Sequence, residues 1–373
     1  EHIHGQNYVI ASYYIKLPKE VDVIKKASTL AVGQTIGTWI PIPGITDEIR
    51  EKYMGKVVNI FDIPALDLAT QIEEDERKYI IQIAYPAVNF GNDLPLLITS
   101  LLGNDASTSA QVKLLDIEFP EEFTKKFAGP QFGIDGIREY TKVKERPFLL
   151  NMVKPCTGLT PEEGAKIFYQ TALGGVDFIK DDELLGNPSY SHPADRVKAF
   201  RKAAKAAYEE SGNHVKYFVN VTSGTAEIMD NVKAVEDAGA DGIMINFAAI
   251  GYSALKQVAE KTKLPILGHA AGSGMVYEGT LNGMSSPLAV GKLARLAGAD
   301  IVMVNTPYGG YPLSYQKYMQ TIEQLVLPFY HLKASMPSIG GGVHPGMVEK
   351  YIREVGCDIV LAAGGAVQGL SLI

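Results

Sequence analysis

From Pro147 onward, the sequence alternates between short apolar, β-branched runs and longer segments of helical periodicity. The runs are "FLLNMV", "VDFI", "KYFVNV", "GIMIN", "LPILGH", "DIVMVN", "MPSIG" and "DIVLAAGG". Amphipathic stretches such as "PEEGAKIFYQTAL" lie between them, with glycine where the helices would end. Eight strand–helix units are what a TIM (β/α)8 barrel contains, so the pattern predicts that fold. A doubly wound sheet would show the same alternation, but usually with fewer units.

The segment before the barrel pattern has a different order of elements. "YVIASYYIKL", "KYIIQIAYP" and "VKLLDIEF" predict strands, whereas "DVIKKASTLAVGQT" and "DLPLLITSLLG" predict helices. A β-α-β-β-α-β order fits this segment and is typical of a small α+β, ferredoxin-like domain. "FAGPQFGIDGIREYT", with three glycines and a proline, reads as the connection. We therefore predict an N-terminal α+β domain over residues 1–128 and a TIM-barrel catalytic domain over residues 129–373.

Composition and charge limit the classes of partner. The 373 residues are 46% hydrophobic and 21% charged, and the net charge of −7 argues against binding to a nucleic-acid backbone. Two cysteines, Cys156 and Cys357, cannot form a disulfide framework and fit a reducing compartment. The sequence shows no signal-peptide core and no apolar run of membrane-spanning length. We expect a cytoplasmic protein without nucleic-acid or membrane partners.

In a TIM barrel the functional residues lie at the carboxyl ends of the strands and in the loops that follow. Reading these ends in chain order gives a series of polar side chains and then two glycine turns. They are Lys154, Lys180, Asp182, Glu183, Asn220, Asn246, His269 and Asn305, followed by Gly340–Gly342 and Gly364–Gly365. These residues are the candidates for a functional site.

The stretch "GGVDFIKDDELL" places three carboxylates directly after an apolar strand. A solvated loop at a helix N-terminus would explain them, because the helix dipole favours acidic side chains there. Oxygen-rich ligand sets also suit a hard cation such as Mg²⁺. A neutral lysine amine can react with CO₂ to give a carbamate, which would turn Lys180 into a further oxygen ligand.

The remaining candidates each have two interpretations. The glycine turns are either tight strand-to-helix connections or, after the seventh and eighth strands, a cradle of backbone N–H groups for phosphate. His269, at the end of "LPILGH", is consistent with a packed histidine and with a catalytic one. Lys154 follows an apolar strand into a proline-stiffened turn, which favours a functional role. Cys156 is expected to be structural, because nothing near it in sequence indicates an activated thiolate.

These residues, in this order, resemble the large subunit of ribulose-bisphosphate carboxylase/oxygenase (RuBisCO), and especially its non-photosynthetic relatives, the RuBisCO-like proteins. "GGVDFIKDDE" resembles the family's carbamylated-lysine motif, and "GTW", "GPQFGIDGIR", "VKPCTGLTPEE", "GGGVHPGM" and "AGGAVQG" follow the family's order. The resemblance implies an N-terminal α+β domain on a TIM barrel. It also implies a homodimer in which the N-terminal domain of one subunit closes the barrel of the other. The family usually continues with a helical segment beyond the last glycine turn, so "QGLSLI" is consistent with a truncated C-terminus.

The resemblance assigns a role to most of the candidates. Lys180 would be carbamylated by CO₂ and would ligate Mg²⁺ together with Asp182 and Glu183. Lys154 matches the family's proton-transferring lysine, and His269 matches a histidine that contacts substrate oxygens. The positions that match those holding one phosphate are Thr38, Trp39, Gly341, Gly342, Gly364 and Gly365.

Three departures from the family's carboxylases bear on the reaction. The second lysine of the family's K-P-K motif is Cys156 here, and the arginine that binds the second phosphate is Ala270. The segment after the sixth strand, "NTPYGGYPLSYQK", has no lysine before Lys317, although the carboxylases carry one in this loop. We therefore expect neither a bisphosphate substrate nor CO₂ fixation.

"GGGVHPGM" and "NTPYGG" resemble the methionine-salvage enolase, which enolises 2,3-diketo-5-methylthiopentyl-1-phosphate. That enzyme's proposed base is a lysine at a position where this sequence has Asn104. The resemblance implies a Mg²⁺-dependent enolase or isomerase that forms an enolate of a small phosphorylated keto substrate. Decarboxylation of a phosphorylated 3-oxo sugar acid is the alternative, because loss of CO₂ generates the enolate without a base. Alternatives of other classes are a non-catalytic relative that binds metal or phosphate, and an unrelated phosphate-binding barrel isomerase.

Overall fold

A computed structural model describes Ile3 and residues 7–369. The strands are β1 Tyr8–Pro18, β2 Lys56–Ile63, β3 Glu76–Pro86, β4 Lys113–Glu118, β5 Phe148–Met152, β6 Phe178–Lys180, β7 Lys216–Asn220, β8 Gly242–Asn246, β9 Ile266–His269, β10 Ile301–Asn305, β11 Met336–Gly340 and β12 Val360–Ala362. They form a four-stranded sheet and a closed eight-stranded barrel. The fold is therefore the one predicted from the sequence pattern.

The helices follow the strands in the predicted alternation. They are α1 Val23–Gly33, α2 Asp47–Tyr53, α3 Leu94–Leu102, α4 Glu121–Thr124, α5 Gly133–Thr141, α6 Pro161–Leu173, α7 Pro193–Ser211, α8 Ile228–Asp237, α9 Phe247–Ile250, α10 Tyr252–Lys261, α11 Gly274–Tyr277, α12 Leu293–Leu296, α13 Tyr315–Val326, α14 Val348–Val355 and α15 Gly365–Gln368. Single 3₁₀ or π turns cover Ala69–Gln71, Ala87–Asn89, Asp105–Ala110, Pro287–Lys292 and Pro345–Met347. Within the described residues, none of these helices combines the length and apolar character that a bilayer crossing demands.

Contacts divide the chain into two compact units. One contains the chain up to Phe127 together with Ser273–Ala289, and the other contains Ala128–Gly272 and the chain from Val290 onward. Ser273–Ala289 lies between β9 and β10 in sequence, yet Met284 forms a β-bridge with Leu114 of β4. Part of a barrel loop therefore belongs to the N-terminal unit.

The N-terminal unit is an antiparallel sheet in the order β2-β3-β1-β4 with helices α1 to α4. β1 buries alternate residues, as the pleat of a strand requires when one face meets a core. The hydroxyl of Tyr13 in this core lies 2.9 Å from that of Tyr85 and donates to the carbonyl of Leu101 at 2.7 Å. Because Leu101 belongs to α3, these bonds attach that helix to the sheet.

The barrel closes with β12 beside β5, and every neighbouring pair of its strands is parallel. Its interior is filled by large apolar side chains, among them Phe178, which stacks on Phe148 with ring centroids 5.0 Å apart. Gly242 makes room for this core, because a Cβ there would lie 2.5 Å from the ring of Phe218. The barrel is a packed core, so its chemistry belongs to the loops at one end.

Local signals explain where the helices around the barrel begin. α6 starts with a capping box, in which Thr160 accepts from the Glu163 N–H at 3.3 Å and Glu163 accepts from the Thr160 N–H at 2.8 Å. α7 begins at Pro193 and ends before Gly212, whose φ of 73° favours glycine. These signals fix where the loop after β6 ends, and that loop carries the carboxylates.

Candidate active site

Lys180 is the last residue of β6, and its side chain is fully buried. Its ammonium nitrogen donates to the carbonyl of Asp181 at 2.9 Å. Burial lowers the pKa of Lys180, although the nearby carboxylates of Glu183, Asp182 and Asp181 oppose this change. The neutral amine, which is the nucleophilic form, is therefore more accessible than in an exposed lysine.

Asp181 faces away from the other two carboxylates of the motif. It accepts hydrogen bonds from the Tyr217 hydroxyl at 2.6 Å, the Asn220 N–H at 2.8 Å and the Arg196 guanidinium at 3.0 Å. Asp181 and Arg196 are both almost completely buried. This carboxylate is satisfied within the barrel wall, so Asp181 fixes α7 to the sheet and is not a ligand in the mouth.

Asp182 and Glu183 lie at the mouth of the barrel. The side chain of Asp182 is 2% exposed and accepts from Lys154 at 2.5 Å. Burial would raise the pKa of Asp182, but hydrogen bonds from Lys154 and from the Leu184 N–H outweigh it and lower that pKa. The side chain of Glu183 is one-third exposed, and its backbone carbonyl accepts from Asn220 at 3.2 Å and from Asn246 at 2.8 Å. Both carboxylates are positioned by groups outside their own loop.

Lys154 follows β5 and reaches across to the carboxylates that follow β6. Its ammonium nitrogen lies 2.5 Å from Asp182 and 2.9 Å from the sulfur of Cys156. Partial burial would lower the pKa of Lys154, but the hydrogen bonds to Asp182 and Cys156 raise it. Cys156 was expected to be structural, but it lies within the candidate site, half-buried beside this lysine.

His269 ends β9 on the same face of the barrel mouth. Its Nδ1 accepts from the Ala271 N–H at 3.1 Å, so the proton of the neutral ring lies on Nε2. Burial and the charge of Lys180 lower the pKa of His269 to about 3. Nε2 lies 3.6 Å from a carboxylate oxygen of Glu183, and because the ring is neutral this contact is not an ion pair. The ring therefore offers an N–H donor.

The two glycine turns follow β11 and β12, which are neighbours in the barrel. Gly341 and Gly342 have φ values of 88° and 75°, a region that side chains other than glycine rarely adopt. Gly309 packs against this turn so closely that a Cβ on it would lie 2.4 Å from the Gly341 carbonyl oxygen. At Gly364 a Cβ would lie 2.8 Å from the sulfur of Met152. Both turns therefore expose backbone where side chains would not fit.

The loop between β10 and α13 is attached to α14, a feature that the sequence did not indicate. The Tyr308 hydroxyl donates to Glu354 at 2.7 Å, and Lys350 forms an ion pair with Glu354 at 2.9 Å. Thr306 in the same loop donates to the Gly341 carbonyl at 3.3 Å. The loop that follows the sixth barrel strand is therefore tied to the glycine turn that follows the seventh.

The structure brings five of the predicted site residues together. Lys154, Lys180, Asp182, Glu183 and His269 form one cluster at the carboxyl ends of β5, β6 and β9. Thr38 and Trp39 belong to the N-terminal unit, where Thr38 accepts from the Ile40 N–H at 3.1 Å and the Trp39 side chain is half-exposed. Their predicted role in phosphate binding stays a prediction.

The oxygen atoms of this cluster suit a metal ion only if Lys180 is carbamylated. No group of three His, Cys, Asp and Glu side chains suited to a metal occurs in the part of the chain that the structure describes. Asp182 and Glu183 supply two carboxylates, which lie beside Lys154 and His269, respectively, in the barrel mouth. A carbamate on Lys180 would complete an oxygen-rich set of the kind that Mg²⁺ prefers. The residues therefore fit the cation if Lys180 is modified.

Comparison with known proteins identifies the family of both domains. Residues 133–371 match the family of the ribulose bisphosphate carboxylase large chain, catalytic domain, and residues 1–123 match the N-terminal domain of the same chain. The chain belongs to the RuBisCO large-chain family. A RuBisCO-like relative, the ribulose bisphosphate carboxylase-like protein of Archaeoglobus fulgidus, is 42% identical over 99% of this chain and 84% of its own length.

The enolase type is also among the relatives of this RuBisCO-like protein. The 2,3-diketo-5-methylthiopentyl-1-phosphate enolase of Geobacillus kaustophilus is 36% identical over 97% of this chain and 87% of its own. The crystal structure of a RuBisCO-like protein (MtnW) from Alicyclobacillus acidocaldarius has a TM-score of 0.88 at 30% identity, covering 98% of this chain and 89% of that one. The dimeric archaeal RuBisCO of Hyperthermus butylicus has a TM-score of 0.87 at 29% identity, covering 98% and 86%. The protein is thus a RuBisCO-like family member near the enolase type.

Proposed function

We propose that this RuBisCO-like protein is a Mg²⁺-dependent enolase or isomerase that forms an enolate of a small phosphorylated keto compound, as in methionine salvage. The observation that carries the proposal is the placement of Lys180, which is fully buried beside Asp182 and Glu183 and whose charge acts on His269. A buried lysine with a lowered pKa is suited to carbamylation by CO₂. The 36% identity to an enolase supports the same reaction class.

Each residue of the cluster has a separate role in the proposed enolisation. When bound, Mg²⁺ would polarise the substrate's oxygens and so acidify the adjacent C–H. Neutral His269 presents its Nε2–H as a donor to a substrate oxygen. The glycine turns after β11 and β12 offer backbone N–H groups to the phosphate. Each of these groups comes from a different strand, so the barrel sets the distances between them.

Lys154 is our candidate for the group that moves the proton. Asn104, which occupies the position of the enolase's proposed base, cannot accept a proton at neutral pH. The Lys154 side chain is 42% exposed and extends to the carboxylates, so its amine can reach a substrate in the mouth. Its hydrogen bonds to Asp182 and Cys156 raise its pKa and favour the ammonium, so Lys154 must leave that ion pair and lose its own proton before it can accept one.

Neither CO₂ fixation nor a bisphosphate substrate is part of the proposal. Ala270 carries no charge for a second phosphate, and the loop from Thr306 to Ser314 contains no lysine. We further propose a cytoplasmic homodimer in which the N-terminal domain of one subunit closes the barrel of the other. The dimeric assembly of the Hyperthermus butylicus relative supports the homodimer.

The test is proton and phosphorus NMR in D₂O with Mg²⁺ and bicarbonate. Three substrates are compared, namely the methylthio-diketone phosphate, methylthioribulose phosphate and a 3-oxo sugar-acid phosphate. We expect deuterium exchange or enol formation on one of the first two, and none when a chelator replaces Mg²⁺. Loss of CO₂ from the third substrate without exchange on the others would contradict the proposal and identify a decarboxylase.

A matched variant separates catalysis from adventitious exchange. Lys180→Met removes the amine that would be carbamylated but keeps a side chain of similar length in the buried position. We expect this variant to fold and to lose the exchange. Exchange at the native rate in Lys180→Met would show that the carbamate is not needed, and the proposal would then be wrong.

A further inference from the structure

Asn246, the last residue of β8, forms a hydrogen bond through its carboxamide nitrogen but none through its carboxamide oxygen. Its side chain lies in the mouth of the barrel with 8% of the residue exposed. The amide nitrogen donates to the Glu183 carbonyl at 2.8 Å. Within the described chain, the carboxamide oxygen is buried and has no hydrogen-bond partner. A buried acceptor without a donor destabilises a folded protein, so most such groups in native structures have a partner.

The orientation of this carboxamide follows from its surroundings. Exchanging its oxygen and nitrogen would place the oxygen against the Glu183 carbonyl, and two acceptors repel each other. Asn246 also stands at the N-terminus of α9, where an asparagine oxygen ordinarily accepts from the first turn of the helix. It makes no such bond here. The free oxygen is therefore not used to cap the helix.

Asn246 lies at the end of the barrel where a substrate would bind. Met244, two residues earlier in β8, lies in the barrel core, so Asn246 shares its inward face. Asn246 pairs in register with His269 of β9 and contacts the backbone of Glu183. Both neighbours belong to the candidate active site, so the unpartnered acceptor lies in the same mouth.

Asn220, at the end of the neighbouring strand, shows what a purely structural asparagine does in this mouth. Its amide nitrogen donates to the Asp182 and Glu183 carbonyls at 3.3 and 3.2 Å, and its oxygen accepts from the Thr222 N–H at 3.0 Å. Every polar atom of that carboxamide is satisfied. Asn246 donates to the same Glu183 carbonyl, but its own carboxamide oxygen accepts no hydrogen bond.

We propose that Asn246 contacts the substrate and that its carboxamide oxygen accepts a hydrogen bond from the hydroxyl created by enolisation. This inference rests on the proposed function. In enolisation a base removes the C–H proton, the C–H electrons form the C=C bond, and the C=O π electrons move to the oxygen. The protonated base, directly or through water, returns a proton to that oxygen, which becomes the hydroxyl. A ketone can only accept hydrogen bonds, whereas the enol can donate one. Asn246 therefore binds the enol better than the keto form, which favours the reaction.

The experiment measures this preference without turnover. Binding of 2-oxopentyl phosphate and 2-hydroxypentyl phosphate is compared by calorimetry, with Mg²⁺ and bicarbonate present, in the native protein, Asn246→Leu and Asn220→Leu. The native protein should bind the hydroxyl probe more tightly. Asn246→Leu should lower the affinity for the hydroxyl probe about threefold to tenfold, which corresponds to the loss of one hydrogen bond. The affinity for the keto probe should stay unchanged. Asn246→Ala is the second variant in case leucine disturbs folding.

Thermal stability gives an independent readout, in which Asn220→Leu should have the larger effect and Asn246→Leu the smaller one. Asn220→Leu removes three satisfied hydrogen bonds and should lower the unfolding midpoint strongly, while the ratio of the two probe affinities stays native. Asn246→Leu removes one bond and one unsatisfied acceptor, so its midpoint should change less.

Three results would contradict parts of this account in distinguishable ways. Equal weakening of both probes in Asn246→Leu would show that the side chain positions the site without contacting the hydroxyl. Weaker Mg²⁺ binding by this variant in the absence of any phosphate would assign the oxygen to the cation. Failure of the native protein to bind either probe would overturn the proposed function, and this inference with it.

Discussion

The ammonium nitrogen of Lys154 lies 2.5 Å from a carboxylate oxygen of Asp182, although the two residues follow different barrel strands. The Lys154 ammonium therefore forms an ion pair with Asp182, which is one of the two carboxylates that we assign to Mg²⁺. A lysine ammonium and a metal ion would compete for this carboxylate, because like charges repel across a low-dielectric mouth. In the proposed function, proton transfer by Lys154 and binding of Mg²⁺ would therefore be coupled through Asp182.

Replacing Lys154 with methionine tests this coupling. We expect Lys154→Met to bind Mg²⁺ more tightly than the native protein, because a competing positive charge is gone. Turnover should nevertheless fall by at least about 100-fold, the usual contribution of a general acid or base. Titration calorimetry measures the metal affinity, and NMR measures the exchange of substrate protons. Unchanged or weaker metal binding would show that the ion pair with Asp182 does not compete with the cation.

Carbamylation of Lys180 can be observed directly. With Mg²⁺ and ¹³C-labelled bicarbonate, the native protein should show one carbamate carbon signal per chain that Lys180→Met lacks. Lys154→Met is the matched control, because it removes the other amine of the site and should keep the signal. A carbamate signal that disappears in Lys154→Met and persists in Lys180→Met would show that Lys154, and not Lys180, is carbamylated.

The adjacent acids Asp181 and Asp182 should respond differently to the same substitution. Asp181→Asn leaves the buried Arg196 guanidinium without its charge partner, so the free energy of unfolding should fall by about 3–5 kcal/mol. Asp182→Asn should abolish activity with a much smaller loss of stability, since its partner Lys154 is 42% exposed and can be solvated. Denaturant unfolding of both variants provides the measurement. Equal losses would show that Asp181 does not carry a structural ion pair.

The sequence predicted the barrel and the cluster because both depend on local patterns. Each strand is a short apolar run, and the polar residues stand where those runs end. The sequence also indicates that Asp181 and Asp182 face different sides of the barrel wall, because side chains alternate along a strand. Phe178 lies in the core, so Lys180 and Asp182 share its inward face while Asp181 points to the outer layer.

Other features of the site depend on tertiary contacts that no local pattern encodes. The Tyr308–Glu354 hydrogen bond joins residues 46 positions apart, and its existence depends on how α14 packs beside the loop. The unpartnered oxygen of Asn246 is a property of its neighbours and not of its own residue type. The packing of Ser273–Ala289 with the N-terminal unit likewise depends on the pairing of Met284 with Leu114.

The attachment of the loop after β10 should affect phosphate binding. Tyr308→Phe removes the hydrogen bond to Glu354 and loosens the loop whose Gly309 packs against Gly341. We expect the KM for a phosphorylated substrate and the inhibition constant of inorganic phosphate to rise about threefold to tenfold, with a smaller change in kcat. Tyr311→Phe is the control, because Tyr311 lies in the same loop and is 81% exposed. A lower kcat at constant KM would place Tyr308 in the chemical step.

Stability should also depend on pH through Asp300, which lies before β10. Its carboxylate accepts from the backbone N–H groups of Phe132, Gly133 and Ile266 at 2.6, 2.9 and 2.8 Å. Burial raises the pKa of Asp300 to about 6, against the opposing effect of these donors. The folded protein then binds more protons than the unfolded chain between about pH 4 and pH 6.

This group therefore makes the free energy of unfolding fall as the pH rises through that window, by about 3 kcal/mol for a shift of roughly two units. Asp300→Asn cannot titrate and should lose this dependence. It should also be less stable at every pH, because its NH₂ group meets a backbone N–H donor. The difference in unfolding free energy between the native protein and Asp300→Asn should thus shrink between pH 4.5 and pH 7.5. A constant difference would mean that the three N–H donors keep Asp300 ionised and that burial does not control its titration.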